Sequence, residues 1–155
     1  MRYINLDGQP ERAKYMEDQF AYWDVENFKR VSANDGRDDD LSHLLKGRYP
    51  DNMNPGEVGC VTSHLKLLKE WLEETDEPMI LVMEDDCDIS TVAHWPFSWR
   101  DFQSQLPYDF DVVQLAIINP SSVSVRLHRR FVNDFSTASY LITRHHARKL
   151  VDLHL

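Results

Sequence analysis

The sequence predicts one mixed α/β domain with a mostly parallel sheet flanked by helices, and three observations carry that reading. Short apolar runs alternate with segments of helical period along the chain. Met79 to Met83 is wholly apolar, the mark of a strand covered on both faces at the centre of a parallel sheet. The 155 residues, 42% hydrophobic and 11% aromatic, supply one core rather than two. A charged fraction of 28% lies in the ordinary globular range and argues against disorder. No linker, repeat or low-complexity tract interrupts residues 1–155, so a single domain is expected over that span.

Tyr3, Ile4 and Leu6 form the first strand, stopped by the turn signal Asp7-Gly8. Pro10 then suits the first turn of a helix, along which Ala13, Met16, Phe20 and Trp23 mark one buried face. Phe28 to Ala33 returns as a second strand and runs into the polar loop from Asn34 to Asp40. Leu41 to Met53 holds Gly47, Pro50 and Asn52, and reads as a helical turn inside a long loop. Asn54, Pro55 and Glu57 form an approximate capping box for a helix carrying Val58, Val61, Leu65, Leu68 and Leu72. That helix must stop before Pro78, after which the apolar strand delivers Glu84-Asp85-Asp86 at its C-terminal end.

Trp95, Trp99, Phe102 and Leu106 have helical spacing with Pro96 near the start. Asp111 to Ile118 predicts a second long strand. Val123, Val125 and Leu127 alternate as a half-exposed antiparallel strand, with Arg130-Phe131-Val132 as its hairpin partner. Ala138 to Ile142 is a further strand, and Ala147, Leu150 and Val151 mark a terminal helix.

The charge excludes some functions. With 26 acidic against 17 basic side chains the net charge is −9, a field that repels nucleic acid from any broad face. A phosphate-bearing ligand would need local cations or a metal. Cys60 and Cys87 lack CxxC spacing and are too few for a disulfide framework, which predicts a reduced, intracellular chain. No segment has the pattern of a signal peptide, and no run approaches the roughly 18 apolar residues of a membrane span, so a soluble, cytoplasmic protein is expected.

The chemistry concentrates in three stretches. Glu84-Asp85-Asp86, with Asp88 beyond, places mutually repelling carboxylates at the end of an apolar strand. A divalent cation removes that conflict, and hard oxygen ligands select Mg²⁺, Mn²⁺ or Ca²⁺. A solvated acidic turn is the plain alternative, and the apolar strand ahead of it argues the other way. Asn5 and Asp7, with Arg12 in the next helix, suit a nucleotide or its phosphates, although a turn Asp, a cap and a surface Arg explain them as well. Glycines in Gly56-Glu57-Val58-Gly59-Cys60-Val61-Thr62-Ser63-His64 cost helix stability, which points to close approach of a ligand or a neighbouring backbone. Ser63 and His64 point about 100° apart on a helix and cannot form a nucleophile–base dyad. They suit contact with a substrate or capping of a neighbouring strand.

These stretches in this order, with Tyr3-Ile4-Asn5-Leu6-Asp7, Ala33-Asn34-Asp35-Gly36, Phe110-Asp111-Val112-Val113-Gln114-Leu115 and Ala138-Ser139-Tyr140-Leu141-Ile142-Thr143-Arg144, resemble glycosyltransferase family 25. That group contains lipooligosaccharide and collagen galactosyltransferases, and the likeness covers nearly the whole chain. The resemblance implies a GT-A type fold and metal-dependent, inverting transfer of galactose from UDP-galactose to a hydroxyl on a glycan, lipooligosaccharide or protein. Glu84-Asp85-Asp86 would stand for the DxD motif. Asp86 would bind Mn²⁺ or Mg²⁺, Glu84 or Asp85 would take the ribose or a second coordination position, and Asn5, Asp7 and Arg12 would lie at the nucleotide end.

An acceptor base is required, for which Asp111, Asp134, His128 and His145 are candidates; the two histidines are also candidates to complete a metal shell. Arg126, Arg129, Arg130 and Arg144 form a late basic cluster facing the donor diphosphate, an acidic acceptor or simply solvent. Sugar transferases of this fold usually carry further C-terminal elements, so a minimal acceptor side is expected. A non-catalytic module that binds a nucleotide sugar or a glycan is the alternative function. A metal phosphohydrolase ranks below both, because no nucleophilic Asp stands in the required constellation.

Overall fold

The computed structural model describes residues 1–37, 40–47, 52–117, 127, 129–131 and 134–155, and an α/β architecture is present within them. The strands β1 (Arg2–Asn5), β2 (Lys29–Ser32), β3 (Met79–Glu84), β4 (Val112–Gln114) and β5 (Ser139–Thr143) form one sheet in the order β2-β1-β3-β5-β4. β1 pairs in parallel with β2 and β3, whereas β5 runs antiparallel between β3 and β4. All strands except β5 therefore point one way, and the C-terminal ends of β1, β2 and β3 share one edge. The α-helices among the described residues are α1 (Pro10–Tyr22), α2 (Pro55–Glu74), α3 (Trp99–Ser104) and α4 (Arg144–His154).

The period of two along the central strands decides which helix packs where. Tyr3, Leu81 and Met83 turn to the face covered by Met16 and Phe20 of α1. Ile4, Val31, Ile80 and Val82 turn to the opposite face, against Leu67, Leu68 and Trp71 of α2 and Ala147 of α4. β3 is thus covered on both sides, as its unbroken apolar run predicts. On α2 the buried face is wider than the expected stripe: Leu67 and Trp71 are buried as deeply as Leu68, because the helix is wedged between the sheet and α4.

The capping box of α2 forms as its sequence suggests. Asn54 Oδ1 accepts from the Glu57 N–H at 3.0 Å, and a Glu57 carboxylate oxygen accepts from the Asn54 N–H at 2.8 Å. Among the described residues of the span Leu41 to Met53 there is one 3-10 turn, Ser42–Leu44. No helix of the described residues is long and apolar enough to cross a membrane.

Three elements differ from expectation. The helix expected from Trp95 begins only at Trp99, because Ser98 and Asp101 cap it reciprocally, and Trp95 follows a separate 3-10 turn, Ser90–His94. The strand expected over 111–118 is confined to Val112–Gln114. The N–H groups of Leu115 and Ala116 both turn to the Ser139 carbonyl, at 2.9 and 3.3 Å, which ends the ladder; Ile118 lies outside the described residues. Leu127, Arg130 and Phe131 carry no strand, and Val123, Val125 and Val132 lie outside the described residues.

Candidate active site

A cavity of about 320 Å³ opens at the C-terminal ends of β1 and β3, with Asn5, Arg12, Asn34, Ser63, His64, Glu84 and Asp85 in its wall beside Gly59 and apolar residues such as Ile4 and Leu6. In sheets of this kind the crevice beyond the strand ends is where ligands bind. Its wall is built by glycine. A Cβ on Gly59 would stand 2.8 Å from Gly36 N and 2.9 Å from Asn34 O, so the loop after β2 lies directly on the first turns of α2. Ser63 fastens that approach: its hydroxyl accepts from the Asn34 N–H at 2.8 Å and donates to the Gly59 carbonyl at 2.6 Å. Neighbouring backbone, rather than ligand, is thus the reason for Gly59, and Ser63 holds the wall.

Of the three carboxylates at the end of β3, Asp85 and Asp86 converge on one nitrogen of Arg12, and Glu84 turns away from them. Glu84 turns to α2. Asp85 is buried, with Oδ2 accepting from Asn5 Nδ2 at 2.7 Å and Oδ1 paired with Arg12 at 2.8 Å. Asp86 stands more than half exposed and pairs with the same guanidinium at 3.0 Å. Asn5 is fully engaged, since its amide also donates to Gln9 O at 3.0 Å and its Oδ1 accepts from Arg30 Nε at 2.8 Å. Asp7 stands outside the cavity, held by Arg30 at 2.6 Å and Ser32 at 2.7 Å; these bonds depress its pKa.

This arrangement bears on the hard cation that the resemblance implies. The repulsion that called for a cation is relieved within the chain by Arg12, which bridges Asp85 and Asp86. Glu84 is committed elsewhere, so the acidic triplet does not aim two free carboxylates at one point. The point on which Asp85 and Asp86 converge is filled by Arg12 Nη2, and Glu84 is not part of it, so Asp86 and Glu84 do not together offer the converging oxygens that a Mg²⁺ or Mn²⁺ ion takes.

His64 is the hub of the inner wall. Its Nδ1 lies 2.9 Å from the Tyr140 hydroxyl and its Nε2 lies 3.1 Å from Glu84 Oε1, which also accepts from the Thr137 hydroxyl at 2.5 Å. Burial acts to lower the His64 pKa, but hydrogen bonding and charge from Cys60 and Glu84 outweigh it and hold it up at about 9. The His64 hydrogen bond in turn depresses the pKa of Glu84, against the effect of burial. Burial beside Glu84 raises the pKa of Tyr140. Tyr140, Thr137 and Cys60 were not singled out from sequence, yet Cys60 and His64 lie four residues apart on one helix face, a spacing that signals their partnership.

Cys60 and His64 also line a second, mostly apolar cavity of about 970 Å³ between α2, α4 and the β4–β5 side of the sheet. Two expected bases line it. Asp111 is more than half exposed, with its carboxylate 3.5 Å from His146 Nδ1, a histidine that sequence reasoning missed. Asp134 is buried, and its carboxylate accepts from the Phe131 N–H, closing a turn. His145 is exposed on α4 and lines neither cavity.

Arg129 and Arg130 line the larger cavity, whereas Arg144 does not join them. Its guanidinium donates to Thr75 O at 2.6 Å and Leu72 O at 2.8 Å and stacks on Trp71, so it closes the C-terminal end of α2. Arg126 and His128 lie outside the described residues. Both cysteines are free, and burial, with nearby carboxylates, pushes the Cys87 thiol up to about 11.

A crevice at the parallel strand ends of an α/β domain is a place where ligands bind, and the architecture serves many enzymes, glycosyltransferases among them. The family model for glycosyltransferase family 25 (LPS biosynthesis protein) matches residues 2–154, and the chain belongs to that family. No curated protein matches it.

Proposed function

We propose that the chain transfers galactose from UDP-galactose to a hydroxyl on a glycan, lipooligosaccharide or protein, with inversion at the anomeric carbon, on a fold of the GT-A type. The observation that supports this reading is the strand-end cavity in a chain of this family, with Arg12 at its lip. A guanidinium suits a diphosphate, and Arg12, 43% exposed, holds both aspartates through Nη2, which leaves its other edge to meet an arriving phosphate. Asn5 and Asp85 set the nucleotide end, Asn5 holding Asp85 and Asp85 positioning Arg12, while Asp7 stands outside the cavity and braces Arg30 and Ser32. Ser63 holds the wall, and His64 with Glu84 faces the sugar.

The larger cavity receives the acceptor. Its hydroxyl oxygen attacks the anomeric carbon in line, the bond from that carbon to the phosphate oxygen breaks, and the hydroxyl proton passes to the base. Asp111 takes that role, because the Asp134 carboxylate is spent on the Phe131 backbone. The negative charge released on the nucleotide diphosphate is met by Arg12. The manganese or magnesium ion on Asp86 and Glu84 has no step here, since these carboxylates are paired within the chain.

The test is a donor screen with UDP-, GDP- and CMP-sugars, each with and without Mn²⁺, read as nucleotide released over a simple galactoside or lipooligosaccharide acceptor. UDP release that depends on acceptor supports the proposal. Donor binding with no release under any acceptor supports the binding module instead.

A further inference from the structure

The transfer reaction gives the Cys60 thiol no task, yet Cys60, His64 and Glu84 meet where the two cavities adjoin. Their ligand atoms, one sulfur, one ring nitrogen and one carboxylate oxygen, lie within 4.8 Å of one another. Cys60 and His64 share one face of α2, and Glu84 reaches them from the end of β3.

His64 Nε2 and Glu84 Oε1 are 3.1 Å apart. Two ligands bound about 2.0 Å from a tetrahedral zinc are separated by about 3.3 Å, so the pair already sits near coordinating distance. The supporting groups are also in place. With Nδ1–H donated to the Tyr140 hydroxyl at 2.9 Å the ring is fixed, and a bound metal takes the place of the Nε2 proton that faces Glu84. The Thr137 hydroxyl orients the Glu84 carboxylate and lies 3.8 Å from Cys60 Sγ. Cys60 is exposed, which provides an entry path.

We infer that Cys60 Sγ, His64 Nε2 and the Glu84 carboxylate form a binding site for a divalent transition metal of the zinc class, with a fourth position open to the cavities. Thiolate and imidazole favour zinc or cobalt over magnesium and manganese. The site shares Glu84 with the hard-cation site expected on Asp86 and Glu84, and differs from it in its sulfur and nitrogen ligands. It does not depend on the transfer reading, because metal binding is measured without donor or acceptor.

The experiment titrates Co²⁺ into the reduced, chelator-treated full chain and follows thiolate-to-cobalt charge-transfer absorption. One cobalt per chain is expected, displaced by Zn²⁺ and not by excess Mn²⁺. Cys60→Ser, a surface change that keeps the fold as read by circular dichroism, removes the band, while Cys87→Ser leaves it. Glu84→Gln weakens Zn²⁺ competition by about 10-fold or more. Absence of the band, its survival in Cys60→Ser, or its loss only in Cys87→Ser overturns the inference.

Discussion

Replacing Arg12 by alanine tests whether the acidic triplet is neutralised from within the chain. The guanidinium lies 2.8 Å from Asp85 and 3.0 Å from Asp86, whose side chains are 11% and 57% exposed. The Asp86 pair is screened by solvent and contributes about 0–1 kcal/mol. Asp85 is different: without Arg12 its nearly buried carboxylate keeps only the Asn5 amide. Removing one partner of a fully buried pair costs about 3–5 kcal/mol, and Arg12 itself is partly wet, so a loss of about 2 kcal/mol is expected. For a domain of this size that lowers Tm by about 5 °C.

Urea melts of the parent, Arg12→Ala, Asp85→Asn and the double variant measure the coupling directly, which should be about 1–1.5 kcal/mol. Asp85→Asn removes the charge that needs Arg12, so the second substitution should cost little on that background. An Arg12→Ala variant within about 0.3 kcal/mol of the parent, or costs that simply add, would refute the reasoning.

Other expectations concern the same region. His64 is held at about 9 against an ordinary 6.5, so its stabilisation is complete below pH 6.5 and fades as pH rises through about 9. Glu84 is held below its ordinary 4.5, so its contribution is present above that pH and fades on further acidification. Urea midpoints should therefore fall between pH 6.5 and 9, and His64→Gln should flatten that limb; an unchanged profile counts against the His64–Glu84 pair.

Gly59→Ala drives a Cβ into backbone on Gly36 and Asn34 and should cost about 1–3 kcal/mol. Gly56→Ala, whose Cβ meets only the Asn54 side chain at 3.2 Å, should be neutral or mildly stabilising in the same melts. Once turnover is measurable, Asp111→Asn should lower kcat by about 10²-fold or more with Tm unchanged, as expected of a general base. Asp134→Asn should instead lower Tm, since its carboxylate closes a turn with the Phe131 N–H.

Local features of the fold were legible because they are written in neighbouring residues. The Asn54–Glu57 capping box, the apolar β3 and the face of α1 on Met16 and Phe20 all follow from spacing within a few positions. The second buried stripe of α2 was not, because only the arrival of α4 makes Leu67 and Trp71 interior.

The candidate site divides in the same way. Its acidic strand end is visible as a pattern, but the sign of a charge does not name its partner: Arg12 takes Asp85 across 73 positions of chain, and His64 finds Tyr140 across 76. A divalent cation is the general solution to that repulsion, and in this structure Arg12 pairs with two of the three carboxylates. The short β4 was equally hidden, since two N–H groups turning to one carbonyl leave no trace in an apolar run.

The central claim is that a nucleotide-sugar donor sits in the strand-end cavity. Calorimetric titration of UDP-galactose into the parent, Arg12→Ala and Glu84→Gln, with Lys149→Ala on the exposed face of α4 as a control, tests it most directly. The account predicts binding to the parent and the control, weakened about 10-fold or more in Arg12→Ala, as loss of a charge-assisted phosphate contact requires. Binding of equal affinity in Arg12→Ala and Glu84→Gln would contradict it.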